Sequence, residues 1–314
     1  MKRREDKLLN NYGIPLVISL LFALQYDRLL CLTGTVKLVW GMKMQKIAKN
    51  VYAETNFRGC NPGFVVTIDG VVMIDTPQMP TDAVKWRDII AKHGPVRYLI
   101  NTEPHGDHFS GNCFFKGTVV AHEGTRQAIL ASSAKQSKER MKQSSPADYA
   151  LMRRFKFRPP TITFTSEMTL YVGDHTFKLI SIPGHTPYQI AVFIPEEKVV
   201  FTSDNVFCRV QPWLQQAVPF EWLESLKRLE TLNAKVLVPG HGDICDPTYL
   251  PEMHRIIQAW IDTVSDAIKK GWSVEEAQEK VELPVKYPML PGSEAMEQMI
   301  KRMNVARLYE VLRK

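Results

Sequence analysis

After the strand-like run VRYLI at residues 96–100, the chain reads NTEPHGDHFSGN over residues 101–112. Glu103, His105, Asp107 and His108, four metal-capable side chains, fall within six positions there. A loop at the end of a rigid strand can hold such groups converging on one point. Imidazole and carboxylate together suit zinc, iron and manganese. The fold must therefore bring further ligands to the same loop.

Three further candidates follow. His185 lies in SIPGHTP, Asp204 in VVFTSDNVF and His241 in VLVPGHGD, each behind an apolar, β-branched run. His105, His185 and His241 stand beside glycine, where little side-chain bulk blocks approach; His122, His175 and His254 lack such company and, with His93, read as structural. Six of the seven divide between two cations: Glu103, His105 and His185 for one, Asp107, His108 and His241 for the other. Asp204 can bridge both, although Ser-Asp-Asn is also a good turn sequence. Each cation keeps open positions for a shared hydroxide, and two cations about 3.5–4 Å apart lower the pKa of bound water.

The intervening sequence is strand-rich. IAKNVYAET, GFVVTIDG and VVMIDTP form a meander with a hairpin at Asp69-Gly70. TDAVKWRDIIAKHG carries Ala83, Trp86, Ile89 and Ile90 at helical spacing, with Thr81 as N-cap and Gly94 as stop. A helix follows over 124–132. Strands resume from ITFTSEMTLYVGDHTFKLISIPG onward, the helix PFEWLESLKRLETLN precedes the last one, and residues 248–314 read as helical. Strands followed by a helix, twice over, predict two packed sheets with helices outside.

The net charge of +7 is concentrated. Residues 126–158 carry nine basic residues against Glu139 and Asp148, so the remainder is neutral. This basic insert, about 126–160, is expected to be helical or mobile; it is either a solvated face or a surface that meets an anion. The five scattered cysteines form no CxxC pair, which points to free thiols and a cytoplasmic setting. Residues 1–42 read as a leader, with a basic start and an apolar run too short to span a bilayer; export is the lesser alternative.

The ordered constellation resembles the metallo-β-lactamase-fold hydrolases, whose signature H-x-H-x-D-H precedes a distal His, an Asp and a final His. Here the pattern is E-x-H-x-D-H (Glu103, His105, Asp107, His108), then His185, Asp204 and His241. The resemblance covers about residues 45–247. It implies an α+β fold, a four-layer αβ/βα sandwich within a domain at 43–314, with the metal centre at one edge of the two sheets. It also implies that Asp75, in VVMIDTP, supports the ligands from behind.

Glu103 departs from that pattern. As a ligand it adds anionic charge and favours harder metals such as iron or manganese; swung away, it leaves a mononuclear site. The flavodiiron members carry a glutamate one ligand position later, where His105 stands here. The bridging aspartate is implied for hydrolases of thioesters, lactones and phosphoesters. The expectation is therefore a dinuclear metallohydrolase, zinc first, that uses a metal-bridging hydroxide to cleave an ester, lactone, thioester or β-lactam carbonyl. In it Asp107 orients the nucleophile as well as binding metal.

The alternatives are a diiron redox protein served by a flavin partner, a metal-dependent phosphodiesterase or nuclease, and a non-enzymatic metal binder. The modest net charge argues against nucleic acid. The expected partner is a small molecule, anionic if the basic insert meets it. Phe109, Tyr188, Phe207, Trp213 and Trp222 wall the pocket or belong to the core, and the C-terminal helices cap the site or form a homodimer contact.

Overall fold

A computed structural model describes residues 43–290 and 292–313; the leader reading of 1–42 lies outside the described residues. The first sheet runs in chain order through β1 (Met44–Lys46), β2 (Val51–Glu54), β3 (Gly63–Thr67), β4 (Gly70–Ile74), β5 (Val96–Asn101), β6 (Thr118–His122) and β7 (Ile162–Phe164). The second comprises β8 (Glu167–Val172), β9 (His175–Ser181), β10 (Ile190–Ile194), β11 (Val199–Cys208) and β12 (Val236–Gly242), ordered β12-β11-β10-β9-β8. Helices are α1 (Pro80–Ile90), α2 (Gly106–Phe109), α3 (Glu123–Ala131), α4 (Ala134–Ser144), α5 (Pro146–Leu151), α6 (Pro219–Glu230), α7 (Leu250–Lys269), α8 (Val274–Lys280) and α9 (Glu297–Leu312).

The strand VVMI is apolar without alternation because both of its faces are buried. Val72 and Ile74 point between the sheets, meeting the layer that holds Phe177, Val192 and Phe201. Val71 and Met73 face outward onto α1, where Trp86 lies edge-on to Phe57 and Phe64 at centroid distances of 5.7 and 5.2 Å. On the far side, Trp222 of α6, Trp260 of α7 and Leu308 of α9 cover the second sheet. The layers are thus helix, sheet, sheet, helix, as expected. Among the described residues no helix is long and apolar enough to cross a membrane.

One local expectation is corrected. Thr81 does not cap α1; Met79 holds that position without a side-chain bond. Thr81 lies inside the first turn, and both its N–H and its hydroxyl donate to Asp148 Oδ1 at 2.8 Å. The buried cap comes from α5, in the basic insert, which is helical and docked through this contact.

Strands β4 and β5 run parallel, as do β11 and β12, and β9 shares their direction by way of antiparallel β10. The loops after β5 and β9, the middle of β11 and the end of β12 carry every candidate ligand.

Candidate metal centre

Beyond β5, Thr102 is pinned by its N–H, which donates to Asp75 Oδ1 at 2.8 Å. His105 is still extended, and α2 then turns Asp107 and His108 back toward Glu103. The carbonyl of His108 accepts from Thr76 N–H (2.9 Å) and the Asn101 amide (3.1 Å), which fixes this turn. Asp204 lies within β11, where the pairing with β12 shifts register and Ser203 has φ +52°. Gly240 makes room for it, since a Cβ there would stand 1.8 Å from Asp204 Oδ1. The glycine beside His241 thus serves its neighbour's carboxylate.

The seven side chains converge. Glu103 Oε1 lies 2.9 Å from His105 Nδ1 and 3.3 Å from His108 Nε2, and its Oε2 lies 3.8 Å from His185 Nε2. Glu103 points into the cluster rather than away. Asp107 Oδ2 is 3.3 Å from His241 Nε2 and 3.9 Å from His108 Nε2. Asp204 reaches both groups: Oδ1 is 3.2 Å from His108 Nε2, and Oδ2 is 3.6 Å from His185 and 3.2 Å from His241. One compact set holds Glu103, His105, His185 and Asp204; another holds Asp107, His108 and His241.

The donor chemistry fits divalent metal. Both Glu103 oxygens, Asp204 Oδ1 and His108 Nε2 are buried without any hydrogen-bond partner. Carboxylate oxygens stripped of water and donors are costly to keep. A cation among these oxygens and ring nitrogens removes that cost.

Without metal, protons take its place. Burial opposes charge on His105, but the adjoining Glu103 carboxylate overrides it and lifts His105 to about 9. His241 rises to about 10, burial again being outweighed by Asp204 and Asp107. Despite burial, the neighbouring imidazoles hold Asp107 below and Asp204 well below the usual carboxylate range. Burial keeps His185 below its ordinary value.

Behind the ligand candidates lies a supporting layer. Asp75, at φ +56°, accepts from His108 Nδ1 at 2.9 Å and from the Thr102 hydroxyl at 2.5 Å, which in turn contacts Ser203 Oγ at 2.7 Å. Its place agrees with the supporting role implied for it. Cys60 donates its thiol to the Asp107 carbonyl at 3.1 Å, and burial pushes that thiol up to about 12, so it stays protonated. Trp213 O accepts from His185 Nδ1 at 2.6 Å, and Gln216 Oε1 lies 3.1 Å from His105 Nε2. Cys60, Trp213 and Gln216 carried no spacing signal for these contacts, and a backbone carbonyl has none to carry.

The cluster floors a cleft of about 1810 Å³ that His105, Asp107, His185, Asp204 and His241 line from below. Phe109, Tyr188, Phe207 and Trp213 line it. Trp222 does not: it is fully buried in the helical layer, its indole N–H donating to Asn205 O at 3.0 Å. Of the remaining histidines, His122 caps α3, accepting from Gly124 N–H at 3.0 Å, and His175 lies 3.2 Å from Glu197.

The model of the metallo-beta-lactamase superfamily matches residues 55–241, over half of the chain and spanning all seven candidates. The chain belongs to the metallo-beta-lactamase superfamily. It is 23% identical over 217 residues to a beta-lactamase-like protein 2 homolog of Caenorhabditis elegans, covering 65% of this chain and 66% of that one. It is 25% identical over 251 residues to a metallo-beta-lactamase type 2 of Elizabethkingia meningoseptica, covering 73% of this chain and 87% of that one. Among solved structures, the sec-alkylsulfatase Pisa1 from Pseudomonas sp. superposes with a TM-score of 0.64 at 16% identity, over 86% of this chain and 50% of that one. This superfamily likeness in fold extends well beyond residues 55–241, and the chain spans about half of the sulfatase. Relatives of this chain are named for hydrolase activities, among them a metallo-beta-lactamase and a linear primary-alkylsulfatase.

Proposed function

We propose that this protein is a dinuclear metallohydrolase that cleaves an ester, lactone or thioester carbonyl of a small, anionic molecule, with β-lactam opening as a weak side activity. The observation that supports it most is the group of buried, unpartnered carboxylate oxygens of Glu103 and Asp204 among four imidazoles, under an open cleft. Glu103, His105 and His185 would hold one cation, Asp107, His108 and His241 the other, and Asp204 would reach both. Zinc suits the four imidazoles, while the three carboxylates leave iron and manganese as the competing occupants. When bound, the metals supply Lewis acidity toward the substrate oxygen and acidify a water.

The remaining work falls to this chain's residues. Asp107 has a side chain 23% exposed, at the cleft floor, and its carboxyl is held ionised by His241 and His108 against the opposing effect of burial. As a carboxylate at the cleft floor, it would accept a hydrogen bond from the attacking water and so orient it. Phe109, Phe157 and Phe155 form an edge-to-face series with centroid separations of 5.0 and 5.5 Å, running from the ligand loop along the cleft wall. That wall excludes water from one side of a bound acyl or aryl group. Lys135 and Arg140 of α4 line the same cleft and can meet a carboxylate or phosphate.

The test is a panel of lactones, thioesters, aryl esters and β-lactams, assayed before and after chelation and metal restoration. Lys135→Glu with Arg140→Glu should raise KM for anionic members about tenfold, the scale of one charge-assisted hydrogen bond, and spare neutral ones. Turnover unaffected by chelation would overturn the reading.

A further inference from the structure

The family match and the ligand candidates both end at His241, yet the chain runs on through α7, α8 and α9. This later segment reaches back to the metal centre through the loop at residues 211–217. In that loop Trp213 O takes the proton of His185 Nδ1, and Gln216 Oε1 takes that of His105 Nε2. Both bonds occupy the outward nitrogen of a ring. The inward nitrogens, His185 Nε2 and His105 Nδ1, lie 3.1 Å apart and are thereby the ones turned toward Glu103, where a cation would meet them.

The loop is held from outside. Asn304 of α9, 1% exposed, accepts from Leu214 N–H at 2.7 Å and donates to Pro212 O at 3.0 Å. One turn on, Arg307 Nε donates to Ala217 O at 2.9 Å. At the loop's start, Gln211 N–H donates to Pro288 O at 2.9 Å, and its side-chain amide donates to Val285 O at 2.6 Å and Tyr287 O at 3.0 Å. Every one of these contacts comes from residues 285–307. Support for the other ligand set is different: His108 is oriented by Asp75, from β4's end in the first sheet.

We propose that the C-terminal segment is a clamp that positions His105 and His185, acting through Gln216 and the Trp213 carbonyl, and so sets the metal affinity of the Glu103–His105–His185 site alone. Gln216 and Asn304 are its positioning residues. The proposal rests on reading these three side chains as one cation's ligands. It also gives the C-terminal helices a task at the site, beyond covering the second sheet.

The experiment titrates metal-free protein with zinc against a chromogenic chelator, with elemental analysis after dialysis. It compares the parent with Gln216→Ala, Gln216→Glu and Asn304→Ala. Gln216→Ala, on the partly exposed cleft wall, should weaken one of two zinc sites by about 10- to 100-fold and leave the other unchanged. Gln216→Glu, which keeps an acceptor against His105 Nε2, should restore the affinity. Asn304→Ala should weaken the same site; should that buried change prevent folding, the Gln216 pair still decides. Two zinc sites of parental affinity in Gln216→Ala, or equal weakening of both sites, would overturn the clamp and leave the dinuclear reading standing. A parent protein that binds no zinc would remove the metal reading itself.

Discussion

Glu103 Oε1 stands 3.3 Å from His108 Nε2, both atoms are buried, and neither makes a hydrogen bond. The carboxylate that opens the E-x-H-x-D-H stretch is therefore aimed at the heart of the cluster. Its effect on metal choice follows. Glu103→His should raise zinc affinity and lower that for manganese, and Glu103→Gln should weaken both, as competition titrations would show. Zinc and manganese affinities identical across all three proteins would remove Glu103 from the ligand set.

The pH dependence has a definite sign. In the metal-free protein His105 titrates near 9 and His241 near 10, against about 6.5 in an unfolded chain. Groups raised in this way lend stability below pH 6.5 that fades as pH climbs through 9 and 10. His185, held low by burial, works the other way below 6.5, so the clean window is alkaline. Metal-free protein should lose Tm between pH 6.5 and 10, with the metal-loaded form falling less. Zinc uptake at pH 7 should release more than one proton per chain, visible with an indicator dye in weak buffer.

Asp75 orients His108 from behind. Asp75→Asn keeps the shape but offers a poorer acceptor to His108 Nδ1 and to the Thr102 hydroxyl. Metal affinity should drop by about 10- to 100-fold. The drop should fall on the Asp107–His108–His241 site, the reverse of the pattern expected for Gln216→Ala. Equal loss at both sites would mean that the two sets are not independently supported.

Asp148 joins the basic insert to α1. Asp148→Ala leaves the half-buried Thr81 N–H and hydroxyl without their acceptor and should cost about 1–2 kcal/mol of stability, by urea unfolding. It should also loosen α4 and α5, raising KM for anionic substrates without changing metal content. An unchanged urea midpoint would show that the cap carries no weight.

What could be read from the chain follows physical lines. The ligand loop was legible because Glu103, His105, Asp107 and His108 crowd behind an apolar strand, and His185 and His241 because glycine flanks them. The layered sandwich was legible because strands buried on both faces, such as Gly70–Ile74, show unbroken apolar runs. Thr81 misled because its acceptor lies 67 residues away, a pairing that local sequence cannot disclose. Trp222 stayed open between cleft wall and core because an aromatic near a strand end has the same signature in both. Asn304 was silent because an asparagine in a helix reads as solvated until the loop it holds is seen.

The most direct test is the metal content of protein purified without added metal, by elemental analysis, with Asp204→Ala beside it. Asp204 faces both ligand sets, so its loss should deplete both. The account predicts about two zinc ions per chain in the parent, as a dinuclear site requires, and clearly fewer in the variant. A parent without metal, or a variant that retains the parent's content, would contradict it.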